Sequence, residues 1–416
     1  MLNKKNVGKI VGVLFFCMFF IFGSVEAGLN NGFNRQPVVI LSGDVFYVGG
    51  SGPDNYTSIQ DAVDNASSGD TVFVFGREEP YNENVVVDKS IFLIGEDKNL
   101  VVIDAGFYEA AVTIIADDVF VSGFTMICFH DNPNLWDSEL VDILSSENVT
   151  IRDNIIQQNK IIAGSDCGGV ILRNSSFCFI QNNTIMKEKD GRPCWGVVLM
   201  LGSAFINVSG NEVYNYTGGI YFQGCSDNEI YMNYFHHNMD GIWINYGKKN
   251  IVINNIINFN TGEGIRIDDG YNNVISGNII TDNGNGGNID RGIGLIGGSD
   301  NYISYNHISN NNPCGIHLID CFNNNIIHNN FSYNKIGVFF DTGYKNYIVR
   351  NNFILNEKNG YFDRWISIKN RMIWKENYWD EPRTKPYPIF GIGYLPLISF
   401  RWVVFDWHPA QEPYDI

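Results

Sequence analysis

Basic side chains are scarce. The 416 residues carry 28 Lys and Arg against 45 Asp and Glu, a formal charge of −17 at pH 7. That balance argues against a nucleic acid or an anionic membrane surface as partner, because either needs a basic face. Cations and neutral molecules remain, and a strongly anionic polymer would need calcium or a local basic patch. No two cysteines form a Cys-x-x-Cys pair, no Cys/His cluster has zinc-site spacing, and there is no His-rich or Met-rich tract. Beyond residue 27 no segment approaches 18 consecutive apolar residues, so none predicts a membrane-spanning helix. Between residues 228 and 352 no stretch has the length or the period of a helix. Hydrophobic residues make up 44% of the chain and aromatics 14%, enough to build a large core rather than a disordered chain.

What is present is a repeat. A motif Asn-x-Ile-x-x-Asn-x-Ile has its first Asn at Asn228, Asn250, Asn273, Asn301, Asn325 and Asn346, in steps of 22, 23, 28, 24 and 21 residues. Its second Asn falls at Asn233, Asn255, Asn278, Asn306, Asn330 and Asn351. Between copies lies a Gly-Ile-x-hydrophobic phrase starting at Gly219, Gly241, Gly264, Gly292, Gly315 and Gly337. Earlier members start at Val141, Gly169 and Gly196. Such a period marks a repeat architecture. Each unit holds two or three runs of alternating apolar and polar residues, the pattern of strands. One unit cannot bury its own apolar side chains, so units must stack. Coils of about 22 residues with Asn at fixed turns predict a single-stranded right-handed parallel β-helix. Asn would take the left-handed turn positions, and its stacked amides would bond along a ladder.

The chain opens with a leader signature. Lys4, Lys5 and Lys9 precede an apolar run from Ile10 to Gly23 and a Val25-Glu26-Ala27 cleavage site, so residues 1–27 are expected to direct export, with an uncleaved anchor as the competing outcome. Removing them leaves a charge of about −19 and seven cysteines, an odd number. Cys178 falls in the slot that Asn250 and Asn273 fill, and Cys167 and Cys194 lie in equivalent turns where a disulfide could form. Residues 28–50 form a lead with a strand at Val45–Val48. Residues 51–117 form an N-terminal cap and first coils. There Thr57 or Ser58 would cap a short helix whose apolar face, Ile59, Ala62, Val63 and Ala66, covers the open stack. Repeats occupy 118–362. Residues 363–416 hold five tryptophans and six prolines and read as an irregular cap. Sequons at Asn55, Asn148, Asn207, Asn215 and Asn330 are glycosylation candidates.

In the Gly-Ile-x-hydrophobic strands, x should point outward. The resulting column runs Asp142, Ile171, Val198, Tyr221, Trp243, Arg266, Gly294, His317, Phe339, and a second includes Gln223, Asn245, Asp268 and Asp341. Tyr221 and Trp243 beside Gln223 and Asn245 predict an aromatic platform with amide donors and acceptors. Flat rings pack on the apolar faces of sugars while amides bond their hydroxyls. Ordinary cross-strand stacking is the competing explanation. Longer turns near 128–140, 159–168, 187–195 and 282–291 would wall a groove over these short coils.

Ser58-Ile59-Gln60, Gly69-Asp70-Thr71-Val72, Ile94-Gly95-Glu96-Asp97 and the closing Asn377-Tyr378-Trp379 resemble the NosD-like group of pectin-lyase-like β-helix proteins, over residues 51–380. The resemblance implies a carbohydrate-binding or structural protein of the cell surface or periplasm-like space, whose partner is a polysaccharide or surface glycan, or a protein. Polysaccharide lyase or glycoside hydrolase activity is the alternative it implies. Arg266, Asp268, Asp269 and His317 are then the catalytic candidates, beside Asp290 and Arg291, with calcium as a possible cofactor. The hydrolase-type Asn-Thr-Asp and a Gly-His-Gly around His317 are both missing. The group's name also implies a third reading, an accessory protein for copper-centre assembly, for which His236, His237, His317, His328, Cys314 and Cys321 offer donors. On a regular strand His236 and His237 would face opposite sides.

Overall fold

A computed structural model describes residues 43–106, 110–130, 137–161, 166–188, 194–284, 287, 290–365, 372–395 and 398–416. The leader and most of the lead lie outside the described residues, as do parts of the four long turns. Among the described residues the chain winds through three long sheets of 14, 14 and 13 strands, parallel except for one C-terminal hairpin. Each coil contributes one strand to each sheet. One coil supplies Glu229–Tyr231, Tyr234–His236 and Asp240–Asn245, and the next supplies Ile251–Ile253, Ile256–Asn258 and Ile265–Asp268, directly beneath. This is a parallel β-helix. No helix among the described residues is long and apolar enough to cross a membrane.

The alternation in each short strand sends one side chain inward. Ile230, Phe235, Ile242 and Ile244 of one coil, and Val252, Ile257, Ile265 and Ile267 of the next, are completely buried. Each such side chain contributes on the order of 1.5–3 kcal/mol of burial.

Three Asn ladders hold the corners. In the longest, Asn154, Asn183, Asn211, Asn233, Asn255, Asn278, Asn306, Asn329, Asn351 and Asn377 each pass a backbone N–H to the Oδ1 of the next. A second runs through Asn228, Asn250, Asn273, Asn301, Asn324 and Asn346. A third runs through Asn238, Asn260, Asn283, Asn311, Asn334 and Asn356. The residue before each rung takes the left-handed conformation, as Asn254 does before Asn255 (φ 55°) and Asn323 before Asn324 (φ 57°). Two expectations are corrected by this. The motif Asn is the buried rung rather than the left-handed residue. In the run Asn323-Asn324-Asn325 the rung is Asn324, not Asn325, and its partner motif residue is Asn329, not Asn330.

The ends differ in kind. Helix α1, Ile59–Asn65, is capped by Ser58 and buries Ile59, Ala62 and Val63, with Glu83 accepting from the N–H groups of Ile59 and Gln60. At the other end the proline-rich tail is more regular than its composition suggests. Tyr387–Leu395 and Ile398–Asp406 form an antiparallel hairpin that extends one sheet. Pro388 is tolerated because pairing to the preceding coil starts only at Phe390, so its missing N–H leaves no gap in that ladder. Asp406, fully buried, accepts from the backbone N–H of Asn377 and from Trp379 Nε1, closing the longest Asn ladder. Cys194 is disulfide-bonded, whereas the side chain of Cys167 lies outside the described residues. Cys128, Cys178, Cys225, Cys314 and Cys321 are free and buried.

Candidate functional site

The Gly-Ile-x-hydrophobic strands stack in register, so Asp142, Ile171, Val198, Tyr221, Trp243, Arg266, Gly294, His317 and Phe339 form one column. Its middle is an aromatic strip. Tyr221 and Trp243 lie 5.1 Å apart between ring centroids, and Trp195 stacks on Tyr221 at 4.6 Å. Trp195 is absent from the column read from sequence, because it sits three residues before Val198, the outward position of its own strand. Its ring reaches Tyr221 by lying across Gly218 on the next coil, where a Cβ would meet Trp195 Cζ3 at 2.1 Å. A glycine facing an aromatic one coil away is the sequence mark of that arrangement.

The polar partners are fixed too. Asn245 Nδ2 donates to the Tyr221 hydroxyl at 3.1 Å. Trp243 Nε1 donates to Asp268 Oδ2 at 2.9 Å, and Arg266 Nε donates to the same oxygen at 2.8 Å. The Arg266 guanidinium lies 4.4 Å over the Trp243 ring. Gln223 is exposed at the strip's margin. The platform residues and Arg266 are thus one connected surface.

Beside it opens a cavity of about 220 Å³. Met239, Thr261 and Gly262 line it together with Asp240, Glu263, Arg266 and Asp290. Glu263 is 4% exposed, and its Oε1 lies 3.1 Å from Arg291. Its Oε2 has no hydrogen-bond partner and stands 3.7 Å from Arg266. The room for this carboxyl comes from Gly294, where a Cβ would meet Glu263 Oε1 at 2.5 Å. Burial pushes the Glu263 carboxyl up to about 8, against the pull of Arg291 and Arg266. Burial also raises Asp240, whose Oδ1 accepts from the Glu263 backbone N–H. Neither Glu263 nor Asp240 was expected from sequence, since each precedes the Gly-Ile phrase and reads as turn.

The catalytic candidates do not all meet. Arg266 lines the cavity and Asp268 bonds to Arg266 beside it. Asp269, by contrast, is exposed in a left-handed turn (φ 48°) because it starts the chain reversal after the strand. His317 lies one coil beyond Gly294 and stacks on Phe339 at 4.2 Å. Burial, with Arg291 adding to it, pushes its imidazole down to about 3. Asp268 and Asp269 are therefore not brought together as a pair, and His317 sits in a ring stack with Phe339.

Of the donors named for copper, His236 and His237 do not face opposite sides but touch, Nδ1 to Nδ1 at 2.8 Å, because His237 takes the left-handed turn before Asn238, and the others are dispersed. Burial holds the Cys314 and Cys321 thiols up at about 12, and His328 Nδ1 lies 3.1 Å from the Tyr305 hydroxyl. Among the described residues no group of three or more His, Cys, Asp or Glu converges as a metal cage.

Comparison with known proteins adds a family. The family described as "Periplasmic copper-binding protein (NosD)" matches residues 63–239, 153–291 and 205–395. No curated protein matches. Among solved structures, the Dettilon tailspike protein (gp208) is similar with a TM-score of 0.61 and 16% identity, over 76% of this chain and 68% of that one. A mannuronic acid specific polysaccharide family 6 lyase from human gut microbiota gives 0.57 and 12%, over 85% and 91%. DFA-IIIase from Arthrobacter chlorophenolicus A6 gives 0.52 and 12%, over 71% and 84%. These likenesses show the shared fold.

Proposed function

The chain belongs to the periplasmic copper-binding protein (NosD) family, and on that premise we propose that it is an exported glycan-binding protein. Its binding face is the strip Trp195, Tyr221 and Trp243. The observation that carries this reading is three half-buried rings on successive coils, tied by Asn245 and Asp268, with a part-open cavity lined by Asp240, Glu263 and Asp290 beside them. Rings spaced by one coil, partly stacked on one another and with Arg266 over Trp243, leave an apolar strip of ring edges and uncovered face, and the adjoining amides and carboxylates suit hydroxyl groups. Charge favours a neutral or amino sugar, because the whole chain carries −17 and the cavity holds Asp240, Glu263 and Asp290. The leader signature and the family's periplasmic description support a location outside the cytoplasm. Affinity electrophoresis through a panel of neutral and anionic polysaccharides tests the reading. Retardation by a neutral polymer should fall at least tenfold in Trp243→Ala, with the melting temperature of the variant close to that of the parent. Equal retardation of parent and variant would remove the strip from consideration.

A second reading rests on Glu263. A carboxyl that keeps its proton at neutral pH is suited to protonating a glycosidic oxygen. Asp268, bonded to Arg266 at the edge of the cavity, would then take the proton of the attacking water. If so, incubation with the retained polysaccharide yields new reducing ends, and Glu263→Gln stops their appearance while retention persists. Retention without products in the parent would leave a binding protein.

A further inference from the structure

The outward column does not stop at the aromatic strip. Beyond Trp243 it passes Arg266, Gly294 and His317, and then turns aromatic again at Phe339, Tyr361 and Phe390 on successive strands of the same sheet. The Phe339 ring lies 4.2 Å from His317 and 5.5 Å from Tyr361 between centroids. Phe339 and Tyr361 are half-buried, whereas Phe390 is 63% exposed, more than any other phenylalanine among the described residues. A single exposed ring is ordinary, but one that continues a line of rings makes a surface. Stacking between coils accounts for His317 on Phe339, but not for the open face of Phe390.

The second set of rings is built like the first. Arg266 lies over Trp243, with Asp268 accepting from both. Lys358 Nζ lies 5.1 Å over the Tyr361 ring, and Asp363 follows Tyr361 two residues on, which puts it on the same face. The interval between the two sets is short and low. Trp243 and Phe339 are four strand steps apart in register, or ~19 Å at ~4.8 Å per strand. Gly294 raises no side chain there, and the neighbouring column carries Ile296 and Ile319, both half-buried. Glu263, Arg266 and Asp290 belong to the same interval, so a chain laid from Trp243 to Phe339 passes beside the cavity they line. A residue of an extended glycan advances by roughly the spacing of one strand, so about five residues cover the distance.

We propose that Phe339, Tyr361 and Phe390 form a second saccharide-binding strip, and that the ligand is one linear glycan laid along the helix axis over both strips and the cavity between them. This rests on the reading of Trp195, Tyr221 and Trp243 as a glycan site. A compact or highly branched sugar reaches one strip only. An unbranched chain that reaches both makes its second contact within the complex, which multiplies affinity with no stronger single contact.

Isothermal titration of the full chain with linear oligosaccharides of graded length, cut from a polysaccharide that retains it, tests the proposal. Affinity should stay nearly flat up to about four residues and then step up about 10²-fold once the ligand reaches both strips. The step should vanish in Tyr361→Ala/Phe390→Ala, whose melting temperature checks its fold, while the binding of short oligosaccharides that depends on Trp243 persists. A step that survives in this variant, or no step in the parent, would overturn the second strip and leave the first standing. Binding indifferent to Trp243→Ala at every length would overturn the reading beneath it, and the two-strip ligand with it.

Discussion

At the scale of single residues, two neighbouring asparagines have opposite jobs. Asn255 is a buried rung: its Nδ2 bonds to the carbonyls of Ile230 and Ile253 and to Asn278 Oδ1, while its own Oδ1 takes the N–H of Asn233. Asn254, beside it, is exposed and left-handed. Asn255→Ala leaves several buried groups unpaired and should cost about 3 kcal/mol. Asn254→Ala costs only the backbone strain of about 1–2 kcal/mol, and Asn254→Gly less. Urea unfolding midpoints would check the order. The same distinction explains what sequence could and could not reveal. Spacing made the rungs visible wherever one Asn stood alone, as at Asn228 and Asn301. In Asn323-Asn324-Asn325 three candidates compete, and only the register of neighbouring coils chooses Asn324. The left-handed step before each rung, which turns His237 beside His236, has no fixed residue type: Met232, Tyr305 and Arg350 all occupy it.

At the scale of the element, the Gly-Ile-x-hydrophobic strands were legible in full because inward and outward positions alternate without a break. Their outward column could be written down residue by residue. What could not be read is where a side chain from outside the phrase leans in. Trp195 crosses Gly218, and Glu263 fills the space over Gly294. Both depend on a glycine one coil away rather than on any local pattern. This sheet should also give stability a two-sided pH dependence. Glu263 ionises near 4.5 when unfolded but near 8 when folded. Its contribution is therefore whole below pH 4.5 and is lost as pH rises to 8. His317 moves the other way: its pKa falls from 6.5 to about 3 on folding, so its contribution holds above pH 6.5 and is lost as pH drops toward 3. Melting temperatures across pH should show Glu263→Gln flattening the alkaline limb alone and His317→Gln the acid limb alone. A slope unchanged in either variant would remove that residue as its source.

At the scale of the molecule, a coil stack is as secure as its ends. The longest ladder finishes on Asp406, which belongs to the C-terminal hairpin rather than to any repeat. Asp406→Ala leaves the N–H of Asn377 and Trp379 Nε1 buried without acceptors, and should cost about 3 kcal/mol or more. Hydrogen exchange should then quicken in the last coils first, because each coil leans on its neighbour. The prolines of this tail concealed its hairpin, since a strand that is unpaired at Pro388 on one side looks in sequence like no strand at all.

The central claim is that saccharide lies along Trp195, Tyr221 and Trp243. Hydroxyl-radical footprinting of the full chain, with and without a polysaccharide that retains it, reads that surface directly. Protection at these three rings, with Tyr246, Phe259 and Tyr333 on other exposed turns labelled as before, is the predicted result. Protection confined to those turn residues, with the strip labelled equally in both states, would contradict the account.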